Sequence, residues 1–596
     1  MPLTQYSGPW GIKQAAHLLR RATCGATKQQ IQTFAGLNVN AAVDNLMHTA
    51  LPDPVLPVDP LTGQEWVLSG TTGASSEPEE LLRYFKGWFI GQMMTSGIND
   101  AIAPAYSARE KIVLFLHTHF TAIQSKISES RYLYFQNQLF RLFSRDALSP
   151  DPLVNFKELT VKVSVDNAML RLLDGSQNRK GSVNENYARE LLELYTIGRG
   201  LEGNVPPTPI EGEYNNYTEA DIQVAARILS GWQDDIDFQT LDPDTNLYRG
   251  KVRGSALNAS AHDNDIDPPK TFSTKFIEIT PGSRTITPDP LLLNNGNPTE
   301  ESALDEIRKM INLIYDQEET ARHICRKIYR FFVYAAHTPE DNLALENTVI
   351  AEMANTFRNS GYRLHAVIDQ LLRSDHFYDA GNGVTDDNFG GIIKSPLDLI
   401  LGTFRMFDYK LPDMTTQPAE FYTATDEILQ RMQSLGMDFY EPYDVAGYDA
   451  YHQFPIYHRF WITPNSLANR YEFARTFVTF GETGMFKTNV LTFVQNNFGG
   501  VAANSRQLIL EVIRYFLPVS DNLSFDPLPD PDPDPNDNSA LTAERLNYFK
   551  ARFLQELAGD PEAYWTQRWN EGAGDLRVQL EFLFNALLQS PEYQLA

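Results

Sequence analysis

Apolar positions recur three and four residues apart along most of the chain, the period of an amphipathic helix. In residues 11–23, Ile12, Ala15, Ala16, Leu18 and Leu19 share one face, while Lys13, Arg20 and Arg21 lie off it. The same period predicts helices over 77–95, 105–122, 128–146, 156–173, 185–197, 219–229, 301–315, 319–335 and 342–359. It returns over 468–478, 505–516, 543–557 and 575–588. Cap signals open several of these, such as Thr218-x-x-Asp221 and Thr338-Pro339-Glu340. No fixed-period repeat is present. The expected fold class is mainly α: a large multi-helix assembly.

Three stretches break the pattern. Residues 234–282 mix β-like fragments (275–279) with Asp, Asn, Gly and Pro, which predicts a loop-rich insertion holding a small β-hairpin. Residues 437–463 are dense in Tyr, His and Pro without a period. Residues 524–539 alternate Asp and Pro, which forbids a helix and predicts a solvated, extended connector. The expected organisation is therefore a helical region 1–233, an acidic insertion 234–298 and a second helical region 299–520. A connector 521–540 and a C-terminal helical unit 541–596 complete it.

Composition narrows the function classes. In 596 residues, 42% are hydrophobic and 21% charged, which is ordinary for a packed globular chain. Lys and Arg number 50 against 76 Asp and Glu, a net charge of −26. Such a surface repels phosphate backbones, so a nucleic-acid partner is not expected. The surplus is uneven: residues 521–540 hold six acids and no base, and residues 234–267 hold eight acids against three bases. Two cysteines, Cys24 and Cys325, are too few for a disulfide framework or a cysteine zinc site. No apolar run is long enough for a transmembrane helix. No basic and apolar leader precedes the first helix, so the chain as written reads as cytoplasmic.

The most distinctive run is 184–198, Asn-Glu-Asn-Tyr-Ala-Arg-Glu-Leu-Leu-Glu-Leu-Tyr-Thr-Ile-Gly. On an α-helix, Asn186, Arg189, Glu190 and Glu193 fall within about 100° of one another, with the leucines opposite. Carboxylates at i and i+3 can hold a hard divalent cation or share a proton. The structural alternative is a solvated face with an Arg189–Glu193 ion pair. A second candidate is His117-Thr118-His119; on a helix the two rings diverge, so one faces the core and the other a site. His262-Asp263-x-Asp265-x-Asp267 in the insertion resembles the start of a Ca²⁺ loop, as does Asp242-x-Asp244, but both lack the later glycine and glutamate. A solvated acidic loop is the default there. No Walker loop, dinucleotide-binding glycine motif, nucleophile elbow or His-Glu-x-x-His motif occurs, so no nucleotide or flavin cofactor is expected.

Taken in order, several pieces resemble a bacterial family known as domain of unknown function 1800. They begin with Ala16-His17-Leu18-Leu19-Arg20-Arg21 and Arg109-Glu110-Lys111 leading to His117-Thr118-His119. Asp166-Asn167-Ala168-Met169, the run 184–198 and Tyr217-Thr218-Glu219-Ala220-Asp221 follow. Leu229-Ser230-Gly231-Trp232, His262-Asp263 and Arg326-Lys327-Ile328-Tyr329-Arg330-Phe331-Phe332 come next. Ile393-Lys394-Ser395-Pro396 and Asp444-Val445-Ala446-Gly447-Tyr448 complete the series. The resemblance implies a mainly helical protein, a periplasmic or extracellular location for many members, and a phosphatase- or sulfatase-like neighbour as partner. It brings no settled activity. The acidic insertion and the Pro-Asp connector resemble variants from Bacteroidetes-type bacteria.

Three readings follow. The first is a metal-assisted, hydrolase-like enzyme acting on an extracellular polymer or glycan. Glu190, Glu193, His119 and Arg189 would be its catalytic groups, with Glu190, Glu193, His117, His119, His262 and Asp263 as candidate ligands of a divalent metal. The second is a non-enzymatic helical scaffold in which Arg326 and Arg330 pair with Glu190 or Glu193. The third is a glycan-binding protein using Tyr440, Tyr443, Tyr448, Tyr451, Tyr457 and Trp461, the alternative being that these rings plug helix ends.

Overall fold

The computed structural model describes residues 3–68, 74–208, 213–378, 389–518, 523–526, 541–572 and 576–596. The fold is mainly helical. Most predicted helices are present, including Pro78–Met93, Ala103–His119, Ser130–Phe143, Glu300–Tyr315, Glu318–Phe332 and Ser505–Phe516. Their ends follow local chemistry. The Thr218 side chain accepts from the Asp221 amide, and Asp221 returns a bond to the Thr218 amide at 2.8 Å. Thr338 caps Pro339–Leu345 by accepting from the Asp341 amide at 3.1 Å. One contiguous apolar core runs from Leu3 to Tyr593 through every described region. Most of the expected connector 521–540 lies outside the described residues.

Ala103–His119 is the spine. Only Thr118 on it is not buried, and the helix meets Ile12–Ala22, Val39–His48, Pro78–Met93, Ser130–Phe143 and Glu318–Phe332. A helix buried all round must neutralise any charge it carries. Glu110 therefore accepts from Arg109 Nε at 2.8 Å and from Arg141 Nη2 at 2.6 Å, and Lys111 donates to Asp398. The Arg-Glu-Lys signature is thus an internal ion-pair hub that joins the spine to Ser130–Phe143 and Pro396–Met406.

The insertion carries two short antiparallel ladders among the described residues. Trp232–Gln233 pairs with Lys251–Val252, and Lys270–Thr271 pairs with Thr285–Ile286. The β-like fragment 275–279 is not a strand. The Gln317 side chain occupies its backbone instead, accepting from Ile277 N at 2.9 Å and donating to Ile277 O at 3.1 Å. The acidic runs are solvated only in part: Asp244, Asp265 and Asp267 are exposed, whereas Asp242 and Asp263 are buried. Asp242 is buried and accepts from Lys162 Nζ at 2.9 and 3.0 Å, while Asp265 takes Lys180 at 2.6 Å.

Candidate functional site at a π-helical turn

The run 184–198 does not form one α-helix. Asn186–Glu190 is α-helical, and Leu191–Tyr195 continues as a π-helix. The wider turn is closed by Thr196 Oγ1 donating to Leu191 O at 2.6 Å and by Gly198 N donating to Leu192 O at 2.8 Å. Gly198 takes φ +66°, and a Cβ there would run into the His323 ring. Only glycine allows both the left-handed turn and the close approach.

Widening the turn leaves the Leu194 and Tyr195 carbonyls without helical partners, and helix-end carbonyls need donors. Lys327 Nζ donates to Leu194 O at 2.6 Å, His323 Nε2 to the same oxygen at 3.2 Å, and His119 Nε2 to Tyr195 O at 3.0 Å. Both histidines therefore carry their proton on Nε2. Burial, then the nearby Lys327, holds both rings well below the ordinary histidine range. Burial, then the Arg330 guanidinium, brings the Lys327 ammonium down to about 7.

Glu190 is half-buried and makes no ion pair among the described residues. Burial, then the neighbouring Glu193 carboxylate, pushes its carboxyl up to about 7, and Asp444 adds to the rise. Glu193 instead accepts from Arg199 at 2.7 Å. Arg189 turns away from both, donating two bonds to Glu219 at 2.7 and 2.8 Å, so no Arg189–Glu193 pair forms. Beside the turn, Thr118, His119, Lys327, Ala446, Tyr451 and His452 line a cleft of about 20 Å³, room for about one water. Burial, then Lys327, lowers the His452 ring as well. π-turns inside helices recur at functional sites, and groups pushed toward neutrality cluster there too.

The six candidate metal ligands are not gathered at one point. His117 lies on the core side of the spine, stacked on Tyr440 at 3.8 Å, with neither ring nitrogen partnered, and burial alone lowers it to about 3. His262 and Asp263 form a separate closed cluster. His262 Nδ1 meets Ser230 O at 3.0 Å, its Nε2 stands 3.5 Å from Glu306, and Asp263 accepts from Arg227 at 2.8 Å. Lys270 ties this cluster together by donating to Glu306 and, at 2.7 Å, to Asp263 O. Among the described residues, the His/Asp/Glu trio close enough to share an ion is Asp44, His48 and Asp369, and there Arg373 already donates to both acids at 2.7 Å.

The arginine pairings differ from expectation as well. Arg326 pairs with Glu346 and Glu319, and Arg330 with Glu202 and the Tyr457 hydroxyl, because the π-turn presents carbonyls rather than carboxylates to their helix. Of the aromatic rings in 437–463, Tyr440, Tyr448, Tyr457 and Trp461 are buried, whereas Tyr443 is open to solvent.

Lys327, His323 and His452 are the site groups that periodicity and spacing missed. Lys327 and Asp444 do lie inside the ordered motifs that carried the family resemblance. Over residues 17–595 the chain matches the family described as protein of unknown function (DUF1800). The chain belongs to that family. No curated protein and no solved structure matches it. The family span takes in every group around the π-turn, from Thr118 to His452.

Proposed function

We propose that the chain is an enzyme of acid–base, hydrolase type, with Glu190 as the proton carrier. The observation that supports this is a pair of opposed shifts around the π-turn: the Glu190 carboxyl at its entry raised to about 7, and the ammonium of Lys327, which donates to its Leu194 carbonyl, lowered to about 7. Near neutral pH such groups exist in both protonation states, which is what a general base and a general acid need. Glu190, free of ion pairs among the described residues, would take a proton from water. Lys327 would return one to a leaving group or steady a developing oxyanion. A polymer or glycan is the proposed substrate class. The donor set does not fit a resident divalent cation, since Arg199 engages Glu193 and no third ligand gathers beside it among the described residues. The proposed chemistry therefore runs on the side chains alone.

The test is a panel of ester, phosphoester and glycoside reporters assayed between pH 5 and 9. Turnover with an inflection near pH 7 that Glu190→Gln abolishes, in a variant that melts no lower than wild type, is the expected result. Turnover that survives the substitution sinks the proposal.

A second reading is a helical scaffold for a phosphatase- or sulfatase-like partner. The small cleft and the internal ion-pair hub at Glu110 favour it. Co-purification from the native host tests that reading without reference to turnover.

A further inference from the structure

The helices Lys28–Ala35 and Val490–Phe498 border a groove of about 700 Å³. That volume lies within the roughly 300–1,000 Å³ of small-molecule sites. None of the groups around the π-turn lines it. Its floor is apolar, formed by Phe34, Pro104, Met406 and Phe493, all buried. Its walls carry the neutral amides and hydroxyls of Gln29, Thr33, Asn45, Thr488, Thr492 and Asn496.

Charge is scarce in this groove, although the chain as a whole carries −26. Lys28 holds its ammonium 4.8 Å above the Phe498 ring and 5.0 Å above Tyr515, and Asp408 is paired with Lys410 at 2.7 Å. Asp100 is the remaining charged side chain on the lining. Asn45 also presents an Oδ1 that is buried and accepts no hydrogen bond among the described residues.

We propose that this groove binds a neutral, polyhydroxylated ligand, a short saccharide segment. A sugar hydroxyl both donates and accepts, and amide and hydroxyl side chains offer both functions. Among the described lining residues there is no arginine fork for a phosphate or carboxylate, and the Lys28 cation lies over the Phe498 and Tyr515 rings, so an anionic ligand would meet no bidentate donor. The apolar floor offers surface to the C–H faces of sugar rings.

This inference does not rest on the acid–base reading, because binding is measured without turnover. Isothermal titration of the full chain with neutral glucan, xylan and mannan oligosaccharides is the test, with uronate and sulfated oligosaccharides run in parallel. At least one neutral oligosaccharide should bind. The exposed-wall variants Asn496→Leu and Thr492→Val should each weaken it by about tenfold, the loss of about one good hydrogen bond, without lowering the melting temperature. Absence of any neutral binder at millimolar concentration, preference for the charged panel, or binding that both wall variants leave intact would each overturn the assignment.

Discussion

Lys327, from the helix Glu318–Phe332, donates to the carbonyl of Leu194, 133 residues earlier in the chain, at 2.6 Å. That bond satisfies a carbonyl the π-turn leaves free and places Lys327 on the lining of the cleft. Burial followed by Arg330 lowers the ammonium from 10.5 to about 7, so the folded state sheds its proton more readily than the unfolded chain. Between pH 7 and 10.5 the unfolded state then binds more protons, and the Lys327 contribution to stability rises with pH. Lys327→Met removes both the buried charge and the hydrogen bond. At pH 10.5 the variant should be less stable by about 1 kcal/mol, the lost bond. At pH 6 the deficit should shrink or reverse, since wild type there carries the cost of the buried charge. Urea denaturation at the two pH values checks this, and a pH-independent difference would contradict it.

Glu190 shifts the opposite way. Its carboxyl rises from 4.5 to about 7 through burial and then Glu193, so its contribution to stability is full below pH 4.5 and is lost as pH rises through 7. Glu190→Gln should match wild type at pH 4.5 and melt higher at pH 8. Differential scanning fluorimetry at both values measures the change; equal melting temperatures at pH 8 would show that Glu190 is not the group held protonated.

Glu110 makes no contact with solvent. Burial raises its carboxyl, but the Arg141 and Arg109 guanidinium groups outweigh that and hold it below the usual carboxylate range. Glu110→Gln removes the charge and leaves Arg141 buried without its counter-ion. Breaking a buried pair this way costs about 3–5 kcal/mol. Chemical denaturation should show a loss of that size with an unchanged m-value.

Cys24 and Cys325 are free and buried. Burial pushes the Cys24 thiol up to about 12 and raises Cys325 likewise. Because the thiolate is the reactive form, neither should react with an aromatic disulfide reagent at pH 8 in the native protein, and both should react in guanidinium. Rapid native labelling of either would contradict the packing around it.

The helices were legible because they depend on neighbours within a few residues. The apolar stripe of Ile12–Ala22, the Thr218–Asp221 box and the Thr338 cap are set by side chains three and four positions apart. Family membership was legible for a related reason: its motifs are short, local and ordered along the chain. The site was only partly legible. Glu190, its neighbour Glu193 and His119 could be singled out by residue type, whereas Lys327 and His323 beside His119, and the Asp444 that adds to the Glu190 shift, come from distant segments.

The sequence by itself determined a mainly α protein of this family and its uneven acidity. Thr196 and Gly198 close the π-turn within the run, but only tertiary structure decided what meets its freed carbonyls, since those donors come from His119, His323 and Lys327 on other helices. It also decided that His117 belongs to the core and that His262 with Asp263 forms a cluster of its own. Helical period places a residue on a face, but the helices packed against that face decide whether it meets water, an aromatic ring or a counter-ion. Burial and charge at that contact then set the chemistry of the side chain.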